Sequence, residues 1–147
     1  MQELKTNMAI WIPLIVWIVV QFFKFLFDLI DHKKINIQRI WGSGGMPSAH
    51  SALVCSLATV VGLREGVGST AFAMALVFAC VVMYDAAGVR RAAGKQAKVL
   101  NQLIEGDKDI NIPEKLTELL GHTPKEVIVG ALVGIFLSMI LYRNMLA

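Results

Sequence analysis

The chain has 147 residues, of which 56% are hydrophobic, with a mean hydropathy of +0.61 and a formal net charge of +3. This length allows at most one domain, over residues 1–147, and the composition is too apolar for an ordinary soluble protein of this size. The basic residues lie beside apolar segments without interleaved aromatic residues, which argues against nucleic acid as a partner. The sequence therefore predicts an integral membrane protein.

The first predicted span begins at Met8, carries no charge as far as Phe23, and continues as an apolar helix to Ile30. A signal peptide would need a small-residue cleavage site after the apolar part, and none follows, so we expect a retained span. Within it, Lys24 and Asp28 are four residues apart. Either they form a surface pair on the last turns of the helix or Lys24 turns inward to the site, and the sequence leaves both open.

A basic segment and a glycine loop follow, and they lead into a second helix. The loop of Gly42-Ser43-Gly44-Gly45 precedes Pro47, Ser48 and His50. We expect Pro47 in the first helical turn, with the helix N-terminus directed at an anion in the loop. The alternative is a flexible loop with a capping serine and an interfacial histidine. The convergence of these residues on one helix start favours the anion site.

Three further apolar helices complete the predicted bundle. Ala49–Leu63 is short for a span, so we expect its neighbours to shield it. Gly66–Tyr84 is a third span, and alanine-rich sequence without proline predicts that its helix continues through Lys98 beyond the membrane. The fourth is Val127–Tyr142. The predicted fold is all-α, a polytopic membrane helix bundle of about four transmembrane helices with a cytoplasmic helical extension.

The segment before the fourth span carries local signals of its own. Pro113–Leu120 is predicted to form a short amphipathic helix that ends at Gly121. Thr123 has the position of an N-cap, Pro124 of a first helical residue, and Glu126 of the partner in a capping box. In the fourth span, small residues recur every four positions, which predicts close helix packing; they are Gly130, Gly134 and Ser138.

Four spans place the first and third connections on one face of the membrane. Most of the basic residues lie on that face: Lys33, Lys34, Arg39, Arg90, Arg91, Lys95, Lys98, Lys108, Lys115 and Lys125. The other face has Lys5, Arg64 and Arg143. The positive-inside bias predicts both connections in the cytoplasm of a bacterial cell, with both termini outside. The same topology gathers the polar residues at three helix ends: Ser48 and His50, Asp85 with Arg90 and Arg91, and His122 with Glu126.

Three segments together resemble the divergent branch of the type-2 phosphatidic acid phosphatase superfamily. They are Gly44-Gly45-Met46-Pro47-Ser48-Ala49-His50-Ser51, the run from Tyr84 to Lys95, and Gly121-His122-Thr123-Pro124-Lys125-Glu126-Val127 followed by Gly130-Ala131. The wider superfamily comprises metal-independent lipid phosphatases and vanadium haloperoxidases, in which a histidine attacks phosphorus. Its Pro-Ser-Gly-His motif resembles residues 47–50, with Ala49 in place of glycine. Its His-x-x-x-Asp motif resembles His122 to Glu126, with glutamate in place of aspartate.

The chain also departs from the superfamily pattern. Leu116 stands where the superfamily has an arginine six residues before the third-motif histidine, and the lysine and Arg-Pro of its first motif are approached only by Lys33 and Arg39. The chain has about four predicted spans, whereas the superfamily usually has six. Because the motif residues that bind phosphate in the superfamily are missing, other residues must bind it here. Arg90, Arg91 and Lys95 are the expected replacements.

The resemblance implies roles for particular residues. His122 is the expected nucleophile, Glu126 orients its ring, and His50 is the general acid and base. The expected phosphate ligands are Arg90, Arg91, Lys95, Ser48, Arg39 and Gly45, and the expected supporting residues are Asp85, Lys24 and Asn101. No cofactor is expected, and no metal, because the His and carboxylate spacing matches no metal motif.

Each of these residues also has a structural interpretation. His122 can be an interfacial histidine, Glu126 a capping residue, Asp85 the partner of an arginine, and the arginines positive-inside anchors. Three functions therefore remain: a phosphatase acting on a membrane lipid phosphate, a non-catalytic protein that binds or transports an anionic lipid, and a structural membrane subunit. A homodimer is compatible with each of them.

Overall fold

The computed structural model describes residues 7–32, 45–106 and 115–146, with side chains throughout except at residues 27–32. These residues form five helices and no strand. The helices are α1 (Met8–His32), α2 (Ala49–Glu65), α3 (Thr70–Ala87), α4 (Val89–Gly106) and α5 (Pro124–Leu146). The all-α prediction is confirmed.

Helix α2 is the centre of the bundle and packs against α1, α3 and α5. Nine of its 17 residues are buried, and most of them are small, such as Ala52, Ser56 and Ala58. Small side chains let neighbouring backbones approach closely. At 1.5 Å per residue the helix is about 25 Å long, less than the hydrocarbon thickness of about 30 Å. The expectation that neighbours shield this short helix is confirmed.

The contact between α2 and α5 is a backbone-to-backbone contact. A Cβ atom added to Gly130 would overlap the carbonyl oxygen of Ser48, and one added to Gly134 would overlap that of Ala52. Both glycines and Ser138 are buried. The predicted close-packing stripe is therefore confirmed, and it fixes the start of α2 against the first turns of α5.

Most of the large apolar side chains point outward. Ile18, Val77, Val81 and Phe136 are each about 60% exposed, while the interior is filled mainly by alanine, serine, glycine and valine, together with Ile12. In the part of the chain that the structure describes, three segments are long and apolar enough to cross a membrane: Met8–Leu26, Thr70–Gly106 and Pro124–Leu146. The protein is an integral membrane helix bundle. A fourth crossing by α2 stays a prediction.

The helical extension after the third span is present but is not continuous with it. The backbone breaks at Gly88, whose N–H donates to the carbonyl oxygen of Tyr84 at 2.8 Å before α4 begins at Val89. A Cβ atom at Gly88 would lie 2.9 Å from that same oxygen. Alanine content alone predicted one helix, and the local geometry of a single glycine divides it.

The helix predicted at Pro113–Leu120 is wrong for residues 115–120, which are not helical; residues 113 and 114 lie outside the described part. The segment lies along α4. The side chain of Asn101 accepts from the N–H of Leu116 at 3.0 Å and donates to its carbonyl oxygen at 2.9 Å. The backbone of Glu118 lies against Gly94, where a Cβ atom would be 2.5 Å from its carbonyl oxygen. Bonds to α4 thus replace bonds within a helix.

Candidate functional site

Residues from each of the three helix-end groups that the topology predicted to meet enclose a small cavity. His50 comes from the first turn of α2, Asp85 from the last turn of α3, Arg90 from the start of α4, and His122 from the residues before α5. Val82 and Ala86 complete the lining. The cavity has a volume of about 10 Å³, which is room for about one water molecule.

His122 is held in this cavity by its backbone. Its N–H donates to the carbonyl oxygen of Ala86 at 2.9 Å, and its side chain is almost completely buried. The preceding Gly121 has a φ of 77°, and a Cβ atom there would overlap the backbone of Arg91. Only glycine combines this conformation with so close a contact. The sequence therefore places His122 by attaching its loop to both α3 and α4.

Glu126 makes two contacts with the same carboxylate oxygen. Its Oε2 accepts from the N–H of Thr123 at 3.0 Å and lies 3.1 Å from Nδ1 of His122. The return bond of the capping box, from the N–H of Glu126 to the Thr123 hydroxyl, is 3.4 Å long. The capping interpretation is confirmed, and the same carboxylate lies within hydrogen-bonding distance of the imidazole.

This arrangement determines the chemistry of the His122 ring. A carboxylate accepts hydrogen bonds, so the ring proton lies on Nδ1 and the lone pair on Nε2. Nε2 is buried, and it has no hydrogen-bond partner among the residues that the structure describes. Burial lowers the pKa of His122 and outweighs the hydrogen bond to Glu126, which acts in the opposite direction. The neutral ring is therefore favoured.

His50 lies across the cavity from His122. The ring centroids are 6.4 Å apart and the rings are inclined by 59°. His50 is the more exposed of the two. Two imidazoles on opposite sides of one cavity can serve one reacting group from two directions, as a nucleophile and a general acid require.

Arg90 is the cation that lines the cavity. Its Nε donates to Oδ2 of Asp85 at 2.5 Å, so the arginine–aspartate pair expected at the membrane boundary is present. Arg91 and Lys95 are not in the lining. The backbone of Arg91 packs on Gly121, and Lys95 is exposed on α4.

Lys24 turns inward from α1. It is half-buried, and its Cε lies 3.6 Å from the position of a Cβ atom at Gly45. Its charge interacts with Glu126, His50 and His122. Of the two arrangements that the sequence left open, the structure has the inward one. The side chain of Asp28 lies outside the described residues.

Ser48 caps α2. Its hydroxyl is fully buried and accepts from the N–H of Ser51 at 3.3 Å and from the Ser51 hydroxyl at 3.0 Å. Its own N–H donates to the carbonyl oxygen of Glu126 at 3.1 Å, which joins the two motif segments. Pro47 precedes the cap, so its predicted place in the first helical turn is wrong. Gly45 has a φ of 89°, as the loop required.

Asn101, another predicted site residue, lies away from the cavity. It holds residues 116–118 through Leu116 and the Glu118 carboxylate and is not in the cavity lining. Arg39 lies outside the described residues. Sequence reasoning missed the cavity wall formed by Val82 and Ala86. The available signal was that Val82 precedes Asp85 by three residues and Ala86 by four, spacings that place helix residues side by side.

Across residues 7–26, 45–106 and 115–146, no three His, Cys, Asp or Glu side chains are grouped closely enough to hold a metal ion.

Comparisons with known proteins support the family resemblance and the assignment as a membrane protein. The family model described as "Divergent PAP2 family" matches residues 5–137. The chain is 41% identical to the uncharacterized membrane protein YuiD of Bacillus subtilis (strain 168), over 95% of this chain and 96% of that protein. No solved structure matches significantly. The chain belongs to the Divergent PAP2 family.

Proposed function

We propose that the protein is a membrane phosphatase that hydrolyses a lipid phosphate monoester through a phosphohistidine on His122. The observation that carries this proposal is the state of the His122 ring. Its Nδ1 is bound to Glu126, and its buried Nε2 faces a cavity that also contains His50 and Arg90. Burying a nitrogen without a hydrogen-bond partner costs free energy, so such an atom calls for a functional explanation. A nucleophile needs a free lone pair, which this nitrogen has.

In the first chemical step, the Nε2 lone pair of His122 attacks phosphorus in line with the ester oxygen. The P–O bond breaks, and protonated His50 gives its proton to the departing alkoxide. Glu126 stabilises the positive charge that forms on the phosphorylated ring. In the second step, His50 takes a proton from water, the water oxygen attacks phosphorus, and the P–N bond returns its electron pair to His122.

Arg90 supplies the positive charge for the phosphoryl oxygens in this proposal. The cavity holds only about one water molecule, so it must open to admit a phosphate. We propose that Arg90 releases Asp85 and binds the phosphate of the substrate instead. Lys24 adds a second positive charge from α1. Arg91, Lys95 and Arg39 are proposed as outer phosphate contacts, with Gly45 offering its backbone, while Ser48 acts by capping α2.

The site is proposed to face the cytoplasm of a bacterial cell, because the basic residues concentrate on the face that contains it. The substrate then reaches the helix ends from the bilayer, and its head group is held by the basic connections. Of the residues that form the cavity, His50, Asp85 and His122 all lie at or beside the ends of apolar helices, at the depth of lipid phosphates.

A non-catalytic protein that binds or transports an anionic lipid is the second candidate. The observation in its favour is the Arg90–Asp85 ion pair. An anionic head group can replace Asp85 at Arg90 without any chemical step. The two functions differ in what they need. Binding requires Arg90 and tolerates the loss of His122, whereas hydrolysis requires both histidines.

The testing experiment compares His122→Ala and His50→Ala on a substrate with an activated leaving group, such as para-nitrophenyl phosphate, and on a long-chain alkyl phosphate. An activated leaving group departs without a proton. We expect His122→Ala to be inactive on both substrates and His50→Ala to recover part of its activity on the activated one. Activity should survive a chelator. If His122→Ala turns over normally, the mechanism is wrong; if wild type binds lipid phosphate without hydrolysing it, the second function holds.

A further inference from the structure

Helix α4 has an apolar face that none of the described helices covers. Ala92, Val99 and Leu103 recur at intervals of seven and four residues, and Leu100 lies beside them, so all four are on one side of the helix. All four are exposed, Val99 by 56% and Leu103 by 65%. Among the helices that the structure describes, α4 packs only against α3. We call these four residues the α4 apolar face.

A different side of α4 carries the segment that leads to His122. Three small or polar residues are buried there: Gly94, Ala97 and Asn101. Asn101 bonds to the backbone of Leu116, and a Cβ atom at Gly94 would overlap the carbonyl oxygen of Glu118. The internal contacts of α4 therefore use its small and polar residues and leave its apolar face outward.

A basic stripe runs along one edge of the α4 apolar face. Its members, spaced four and three residues apart, are Arg91, Lys95 and Lys98. Lys95 precedes Val99 by four residues, so the stripe adjoins the face. An apolar face flanked by cations is the pattern of a helix that lies in the interface of a membrane with anionic head groups.

The position of α4 in the chain brings this face to the bilayer surface. The 18 residues of α3 extend about 27 Å, close to the hydrocarbon thickness of about 30 Å. Helix α4 begins two residues after Ala87, beyond the break at Gly88. A straight continuation of α3 would carry Leu103, 16 residues after Ala87, about 24 Å further into water. A change of direction at Gly88 keeps the apolar face on the membrane.

We propose that α4 binds the surface of an anionic membrane and lies in the plane of the interface. Its apolar face then lies at the boundary between head groups and acyl chains, and its basic stripe contacts anionic head groups. The observations do not involve the chemistry at His122, so this inference is independent of the proposed function. An α4 bound in this way also holds the segment that leads to His122 at the membrane surface.

The depth of nitroxide labels in lipid nanodiscs tests this orientation. In the full chain, exposed Cys80 is replaced by alanine, while buried Cys55 is retained. Single cysteines for labelling are then introduced as Ala92→Cys, Gln102→Cys or Leu103→Cys. The protein without an introduced cysteine is the background control. Depth is read from the accessibility of the label to oxygen, which concentrates in the bilayer, relative to a water-soluble nickel complex.

The three positions distinguish a helix that lies on the membrane from one that stands on it. Residues 92 and 103 are on one face but about 16 Å apart along the axis, whereas residues 102 and 103 are adjacent and point to different sides. We expect the labels at 92 and 103 at similar depths, about 5–10 Å below the surface, and the label at 102 in water.

Two results overturn the proposal. A standing helix would separate the labels at 92 and 103 by about 16 Å in depth and place those at 102 and 103 at the same level. A second copy of the chain on the apolar face would shield the label at 103 from both oxygen and nickel and couple it magnetically to the label of that copy.

The lipid composition tests the basic stripe separately. The label at residue 103 should lie deeper in phosphatidylcholine nanodiscs with added phosphatidylglycerol than in phosphatidylcholine alone. Each lysine near an anionic surface strengthens the attraction about fivefold, so Lys95→Gln combined with Lys98→Gln should remove most of this difference. Arg64→Gln, in the last turn of α2 and far from His50, is the matched control and should preserve it. Equal depth in both lipids for the unchanged stripe overturns the assignment to anionic head groups.

Discussion

Replacing Glu126 with glutamine removes its negative charge and can keep both of its hydrogen bonds. A capping box accepts Gln at the position of Glu, because the amide oxygen can still accept from the N–H of Thr123, now 3.0 Å from the carboxylate. The same carboxylate oxygen lies 3.1 Å from Nδ1 of His122, so an amide oxygen in its place accepts from both groups. A neutral amide, however, cannot stabilise the positive charge that forms on the phosphorylated ring.

The expected result is a large loss of rate with little loss of stability. The loss of one electrostatic contact that stabilises a transition state lowers kcat by about 10²–10³, so we expect a loss of this size for Glu126→Gln. The free energy of unfolding should fall by less than about 1 kcal/mol, since the cap persists. The assays are phosphate release from a long-chain alkyl phosphate and thermal unfolding in detergent.

Thr123→Ala is the matched control, because it removes the capping hydroxyl and leaves Glu126 beside His122. A lost cap costs about 0.5–2 kcal/mol, and the 3.4 Å bond places this one at the lower end. Thr123→Ala should therefore be less stable but nearly as active as wild type. Wild-type kcat in Glu126→Gln would refute the reasoning and leave Glu126 as a capping residue only.

The site and the packing of α2 against α5 support three further predictions. Arg90→Lys should lower kcat/KM about 10- to 100-fold, because a lysine ammonium cannot reproduce the guanidinium fork, and an unchanged value would make Arg90 a topology determinant. Gly134→Ala should lower the free energy of unfolding by about 1–3 kcal/mol through overlap with Ala52, whereas Gly68→Ala, where an added Cβ meets nothing within 4 Å, should not; equal melting temperatures would contradict the close packing. Because burial lowers the pKa of His122, the folded state resists its protonation, so stability is full above pH ~6.5 and falls as the pH is lowered. Thermal unfolding of wild type and His122→Gln across this range measures it, and the acid slope should be smaller in the variant.

Local signals predicted the structure where the determining contacts are local. The capping box from Thr123 to Glu126 needs only four consecutive residues, and it is present with Pro124 as the first helical residue. The stripe of Gly130 and Gly134 requires only a helical period. The all-helical membrane bundle follows from apolar runs of spanning length, since their exposed side chains need lipid around them.

The failures lie where distant residues compete with local preference. Residues 115–120 have an amphipathic pattern, but Asn101, fifteen positions earlier, takes the backbone groups of Leu116. The direction of Lys24 could not be decided from its spacing to Asp28, because the glycine loop that receives it comes from another part of the chain. The residues of the cavity come from four helix ends. The predicted topology was enough to place those helix ends together, but it could not predict that the cavity between them is small.

The central claim is that His122 carries the phosphoryl group, and trapping that group tests it most directly. His50→Ala should form the intermediate with a radiolabelled aryl phosphate and hydrolyse it slowly, because the base that activates water is missing. Rapid quenching in alkali, followed by peptide mapping, should find an acid-labile phosphate on the peptide that contains His122. The label should be absent when His122→Ala is combined with His50→Ala. Label on any other residue, or turnover without a labelled protein, would contradict the account.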